Sequence, residues 1–290
     1  MMSWPDRFLL TIFKTFPAKD SIFKDAAPRP QSEYDAECAD PFYRWFEADE
    51  TMFTGKELLD LGSGFGGRSL RFLEYGAKSV TGVEISEGMV SYANQFANGR
   101  ARFLVGTGEK IPSADAQFDM VTMFDVMEHV ISPPEVLNEC WRVLRPGGIL
   151  TVVFPPYYDI TGGSHLHGYA TTFPGLNLFF TTRALKSATH KLLDSQGVTY
   201  RQFLRDVPTD KLWNLNGLTV RRFRSLVRAS SFHVERFDCL GHMERRLSRH
   251  TGGQLAWRLP FYAISSAIAK IPLLQEIFCF RVCAVLRKPV

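Results

Sequence analysis

Leu58-Leu59-Asp60-Leu61-Gly62-Ser63-Gly64-Phe65-Gly66-Gly67 is the stretch on which the reading of this chain turns. The apolar run Glu57–Leu61 before the glycines reads as a buried strand, and Gly67–Tyr75 after them carries apolar residues at the three-and-four spacing of a helix. A glycine-rich turn in that position lets a ligand meet the backbone. Gly62 permits a tight turn, Gly64 a close approach, and Gly66 or Gly67 close helix–strand contact. Working outward, the same rhythm repeats. Further apolar runs lie at Ser79–Ile85, Ala101–Val105, Phe118–Phe124 and Ile149–Phe154, with helical spacing at Gly88–Ala97 and Pro134–Leu144. Alternation of this kind is the mark of βαβ units around a parallel sheet. Arg145-Pro146-Gly147-Gly148 ends one helix and opens the next strand.

The rhythm breaks after Phe154. Residues 155–217, rich in Gly, Thr, His and aromatics, hold only a weak helical stretch near Thr182–Leu193 and read as a lid or substrate-binding insertion. Helix and strand signals return at Thr219–Ala229, with Thr219 as N-cap, and at Phe232–Leu240, and a last strand is expected at Ile277–Leu286. The expected organisation is an N-terminal helical lid (1–50), a core (51–154), the insertion (155–217), and the rest of the core (218–290) with an apolar insertion near 241–276.

Composition bounds the answer. The 290 residues are 45% hydrophobic and 22% charged, which excludes a disordered or fibrous chain. A net charge of +4 is too small to argue for nucleic acid by itself. The five cysteines are scattered, with no Cys-x-x-Cys pair and no zinc spacing, as expected of reduced thiols in a cytoplasmic protein. Met1–Phe16 lacks a basic leader, and the apolar run Leu259–Ala269 is shorter than the roughly 18–20 residues of a membrane span.

Two cofactors compete for the loop. Gly62, Gly64 and Gly67 satisfy the Gly-x-Gly-x-x-Gly pattern of NAD-binding proteins, and Glu84, 22 residues beyond Gly62, stands where a carboxylate accepts hydrogen bonds from both ribose hydroxyls. Asp60 separates the candidates: a carboxylate beside the loop repels a pyrophosphate but anchors an ammonium. That favours S-adenosylmethionine (SAM), whose ammonium and sulfonium replace the phosphates of NAD.

These residues resemble the class I, Rossmann-like SAM-dependent methyltransferases. The likeness is strong over Gly55–Phe154 and looser over Thr219–Phe237 and Phe280–Lys288. Leu58–Gly66 is similar to the family's first motif and Gly82-Val83-Glu84-Ile85-Ser86 to the acidic end of its second strand. Phe118-Asp119-Met120-Val121 with Glu128-His129-Val130 resembles its fourth-strand motif, and Leu144–Gly148 its turn into strand five. The resemblance implies a doubly wound α/β fold with a seven-stranded, mainly parallel sheet in the order 3-2-1-4-5-7-6 and a last antiparallel strand. It also implies that Asp60 and the backbone of Gly62, Ser63, Gly64 and Gly66 hold the methionine part of SAM, and Glu84 the ribose. Ile85 and Met89 would meet the adenine, and Phe124 and Asp125 the methyl side. Gly106-Thr107-Gly108-Glu109 falls where the family often has Gly-Asp-Ala-Glu, so Thr107 departs from the pattern. Tyr34 stands where many relatives close an aromatic over SAM. S-adenosylhomocysteine is the implied product.

For the acceptor, candidates for a general base are His129 after strand four and His165 and His167 in the insertion. His165-x-His167 also has the look of a metal pair, but no third ligand is evident and no metal is expected. Phe154-Pro155-Pro156-Tyr157 is similar to the nucleic-acid amino-methyltransferase motif, yet it follows strand five and lacks the polar first residue, so a nucleic-acid partner is not expected. Arg221, Arg222, Arg224 and Arg228, with Arg245, Arg246 and Arg249 beyond, read as a solvated face or as a surface for an anionic acceptor or lipid. Trp4, Phe8, Leu9, Ile12, Phe13 and Phe16 at helical spacing, with Phe173, Leu176, Leu178, Phe179 and Phe180, suit an apolar acceptor pocket; the apolar ends pack onto the core in the simpler reading and make peripheral membrane contact in the sharper one. The expectation is methylation of oxygen or carbon on a small, largely apolar molecule of quinol, polyketide or lipid type. An RNA or protein methyltransferase, an NAD-dependent oxidoreductase and a non-catalytic SAM-binding module are the alternatives.

Overall fold

A computed structural model describes residues 3–17, 30–160, 170–195, 215–241, 263–264, 267–272 and 274–290. Helix α1 (Trp4–Thr15) is followed by α2 (Pro30–Ala39) and two 3-10 turns (Phe42–Phe46, Glu50–Phe53). The core then runs β1 (Glu57–Leu61), α3 (Gly67–Glu74), β2 (Ser79–Glu84), α4 (Glu87–Ala93), β3 (Ala101–Val105), β4 (Phe118–Phe124), α5 (Pro133–Val143) and β5 (Leu144–Phe154). Beyond it come α6 (Leu176–Phe179), α7 (Thr182–Ser195), α8 (Val220–Ala229), β6 (His233–Leu240), α9 (Gln275–Phe278) and β7 (Arg281–Arg287).

The strands form one seven-stranded sheet in the order β3-β2-β1-β4-β5-β7-β6. Pairing is parallel from β3 to β5, and β7 runs antiparallel to both β5 and β6. This is the expected Rossmann-like architecture. Side chains alternate across the sheet. Leu59, Leu61, Val121, Met123, Leu150 and Val152 pack on α5 and α8, whereas Leu58, Val80, Met120 and Val153 pack on α3, α4 and the first 3-10 turn. At the amino edge, Arg145 joins three strands, donating to Asp119 Oδ1 (2.7 Å) and Glu57 Oε2 (2.6 Å).

The final strand begins later than its apolar pattern suggests. Ile277 lies in the α9 turn, and pairing starts at Arg281. That turn carries Glu276, whose carboxylate accepts from the amides of Val220 (2.9 Å) and Arg221 (2.7 Å). It thereby completes the N-terminus of α8, where Thr219 is the expected cap. Similarly, β5 reaches back to Leu144, with a bulge opposite β4 between Phe118 and Met120.

A third, smaller cluster lies apart from the sheet. Leu9 and Phe13 of α1 pack on Leu185, Ala188 and Leu192 of α7. Lys191 pairs with Asp6 at the rim, holding the Asp6 carboxyl well below its ordinary range.

Candidate functional site

The glycine loop leaves β1 along the end of β2: the amides of Gly62 (2.7 Å) and Ser63 (3.2 Å) both donate to Val83 O. Gly62 has φ +80°, and a Cβ there would overlap Val126, so no other residue fits between the loop and the exit of β4. Gly66, at φ +84°, N-caps α3, and a Cβ on it would lie 2.6 Å from Phe103 Cζ.

Beside this loop opens a cavity of about 270 Å³. Gly62, Glu84, Ile85, Thr107, Gly108, Glu109, Asp125 and His129 line it together, drawn from the ends of β1, β2, β3 and β4. Ligands of open α/β sheets bind at this carboxyl edge. Glu84 is fixed by three backbone donors: Ile85 N (2.9 Å) and Ser86 N (3.2 Å) to Oε1, and Gly64 N (3.1 Å) to Oε2. Burial pushes its carboxyl up and these bonds oppose the push. Glu109, also in the lining, accepts from Ile131 N (2.7 Å) and Ser132 N (3.2 Å). Burial holds His129 below the ordinary histidine range, with Asp125 acting against it.

Several expected residues lie elsewhere. Asp60 is buried beneath the loop, where Ser69 Oγ donates to Oδ2 (2.6 Å) and Thr122 Oγ1 to Oδ1 (3.3 Å). Ser63 is buried, and Met89 is half-buried on α4, its amide capped by Ser86 Oγ (3.2 Å). Neither lines the cavity, nor do Gly64 and Gly66. Phe124 packs against Phe42 and Trp45 with the Arg68 guanidinium 4.2 Å from its ring centroid. Tyr34 does not line the cavity; its hydroxyl donates to Glu74 (2.8 Å) with the Arg71 guanidinium against its ring. Its neighbour Glu33 meets the glycine loop instead, accepting from the amides of Phe65 and Gly67, both at 3.0 Å. His165 and His167, and Arg245, Arg246 and Arg249, lie outside the described residues. Of the basic helix, Arg221 and Arg228 are solvated, while Arg224 packs on the Phe237 ring and donates to Gln275 (3.0 Å).

Residues 59–152 match the family described as a methyltransferase domain. A ubiquinone biosynthesis O-methyltransferase of Coxiella burnetii is 31% identical over 163 residues, which cover 50% of this chain and 68% of that protein. The chain belongs to the class I SAM-dependent methyltransferases. Another relative in the family is the ubiquinone/menaquinone biosynthesis C-methyltransferase of Roseobacter denitrificans, 36% identical over 107 residues, covering 34% of this chain and 42% of that protein. The chain spans about half the length of the first curated relatives it matches. The crystal structure of a SAM-dependent methyltransferase from Mesorhizobium loti superposes with a TM-score of 0.52 at 18% identity, covering 88% of this chain and 99% of that one, and shares the fold.

As a class I methyltransferase the chain takes SAM as its cofactor, and the cavity fits that molecule. It combines a hydrogen-bonded carboxylate at the end of β2 with a wall in which Gly62, Gly106 and Gly108 present backbone rather than side chain. Sequence reading missed Leu61, Val83, Val126, Val130 and Ile131 as lining residues, and Glu33 as a partner of the loop amides. The apolar ones have no mark that separates a cavity wall from a core. Among the described residues no cluster of three or more His, Cys, Asp or Glu has the arrangement of a metal site.

Proposed function

We propose that the protein transfers a methyl group from SAM to oxygen or carbon of a small, largely apolar molecule of quinol, polyketide or lipid type. The observation that carries this reading is the cavity in which Glu84, Gly62, Thr107 and Asp125 meet. Glu84 would hold the ribose, Ile85 and the Gly106–Glu109 turn the adenine, and the loop beside Gly62 the methionine part. SAM supplies an electron-poor methyl carbon, so the protein's task is chiefly to hold a nucleophile about 3 Å away and to exclude water. Asp60, buried against Ser69 and Thr122, acts through the loop it supports. His129 braces the cavity wall, and His165 and His167 remain candidates for the acceptor side.

Relatives named for ubiquinone and menaquinone biosynthesis support an apolar acceptor. So does the aromatic stripe of α1 and α6, where Trp4 is 66% and Phe179 83% exposed, which suits peripheral contact with a membrane that supplies such molecules. No helix among the described residues is long and apolar enough to cross a membrane. The test is methyl-labelled SAM with purified protein and a boiled extract of its host, counting label in organic, aqueous and acid-precipitable fractions. Organic label is expected. Label in precipitable RNA or protein would instead select the macromolecular alternative.

A further inference from the structure

Asp125 and Arg281 come from distant parts of the chain and meet at the carboxyl edge of the sheet. Asp125 follows β4 directly, and its amide donates to Val153 O of β5 (2.9 Å). Arg281 opens β7, one position before Val282, which pairs with Phe154 at the end of β5. The antiparallel last strand thus delivers a guanidinium to the carboxyl edge of the sheet, behind Asp125, which lines the cavity.

The guanidinium is enclosed there, beside the buried Glu128 carboxyl as well as Asp125, and its hydrogen bonds are long. Only 12% of the Arg281 side chain is exposed. Its Cζ lies 4.6 Å from the Phe280 ring centroid, Nη1 reaches Phe280 O at 3.3 Å, and Nη2 stands 3.4 Å from Asp125 Oδ2. An arginine serving only to staple β4 to β7 would close on the carboxylate at about 2.7–2.9 Å. Here two buried polar atoms have no hydrogen-bond partner among the described residues, Arg281 Nε and Asp125 Oδ1. One is a donor and the other an acceptor, and a buried polar group left unmatched is unfavourable. Asp125 also holds φ +56°, the left-handed region a non-glycine residue seldom adopts, and strained positions of this kind gather at functional sites.

We propose that Arg281 and Asp125 bind the methyl acceptor through a hydroxyl group, with Arg281 Nε–H donating to its oxygen and the hydroxyl donating to Asp125 Oδ1. This rests on the SAM-methyltransferase reading of the cavity and makes the acceptor a phenol, enol or alcohol at the end of an apolar body, methylated on oxygen. The complementarity selects the group. A carboxylate would set a second anion against Asp125, and an ammonium would face Arg281, whereas a hydroxyl accepts and donates at one atom. As the hydroxyl oxygen bonds to the methyl carbon, the sulfur keeps the electron pair of the bond that breaks. The hydroxyl proton passes to Asp125. Arg281 stabilises the negative charge that grows on the oxygen as the proton leaves. Asp125 is then a catalytic base, and Arg281 a residue that binds and orients the acceptor.

The test uses binding and needs no turnover. Affinities of 4-octylphenol and its methyl ether are measured by titration calorimetry on the full chain saturated with S-adenosylhomocysteine, for wild type, Arg281→Met and Asp125→Asn. The expected result is a phenol bound at least about tenfold more tightly than its ether by the wild type, with the preference falling below about twofold in Arg281→Met. Affinity of Arg281→Met for S-adenosylhomocysteine should stay within about threefold, which a general loss of structure would not allow. Asp125→Asn keeps the size of the side chain and should likewise lose the preference. A wild type that binds S-adenosylhomocysteine but shows no preference for the phenol, or does not bind it, overturns the proposal and leaves the cofactor reading intact. Absence of S-adenosylhomocysteine binding overturns the cofactor reading, and this proposal with it.

Discussion

Gly62 shows how much one position can carry. Its φ of +80° and its contact with Val126 set two separate demands, one on the backbone and one on space. Gly62→Ala is expected to destabilise the protein by about 2–4 kcal/mol in urea unfolding and to weaken S-adenosylhomocysteine binding more than about 30-fold. Adding Val126→Ala removes the overlap but not the backbone strain, so it should restore only part of the stability. Full restoration would show that the left-handed backbone is not the issue. Glu84 allows a second test. In Glu84→Gln one of the two acceptor oxygens is lost among three backbone donors, and cofactor affinity should fall about 10- to 100-fold. Both residues are visible in the sequence, because a glycine before a helix and a carboxylate closing a strand stand out locally. Arg281 is not. Its role depends on β7 pairing with β5 from 127 residues further on, and no local spacing records that.

At the scale of elements, α2 is the instructive case. Tyr34 is the residue its sequence draws attention to, yet Glu33 meets the loop and Tyr34 turns to Glu74. With little apolar periodicity in Pro30–Ala39, nothing local tells which face turns inward. Glu33 meets the loop, while Glu37 accepts from Phe42 N (2.6 Å) and from Arg68 Nε (3.2 Å), and both feel the charges of Asp60 and Arg68. Burial pushes both glutamates up to about 7, with Arg68 and backbone amides opposing and Asp60 reinforcing the push. A carboxyl whose folded pKa exceeds its ordinary 4.5 binds more protons folded than unfolded, so its contribution is full below about 4.5 and is lost as pH rises through about 7. Protection of the Phe65 and Gly67 amides in hydrogen exchange, corrected for intrinsic rates, should therefore fall between pH 5 and 8. Glu33→Gln should flatten that dependence. An unchanged protection factor in the wild type would refute this account of α2. The pair α1 and α7 makes a different prediction. Phe13→Ala should cost about 3–4 kcal/mol within that small cluster, exposing α1 and α7 amides to exchange and leaving the sheet's amides protected.

At the scale of the molecule, two apolar layers grip one sheet, and the cofactor cavity sits where β1 and β4, neighbours at its centre, turn outward. A ligand that binds there should stabilise the whole. At about 100 times its dissociation constant, S-adenosylhomocysteine is expected to add about 2.7 kcal/mol and raise the melting temperature by roughly 5 °C. A comparable rise with NADH and none with S-adenosylhomocysteine would contradict the cofactor assignment. The sheet was legible because its five parallel strands are short apolar runs between helices, and β1, β3 and β4 fall where those runs lie. The ends of the apolar code were harder to see. Ile277 and Phe278 look like strand residues, but the turn that places Glu276 under α8 claims them first.

The placement of β7 between β5 and β6 bears on how the chain is made. While a ribosome extends the chain from Phe154 to Arg281, the outer side of β5 has no strand to pair with, and β6 emerges with none at all. Through that interval the growing polypeptide shows an open edge to its surroundings, including other nascent copies. Messages that stall or terminate within it would yield products inclined to clump, and slow translation across this stretch would draw more heavily on chaperones than slow translation before Phe154.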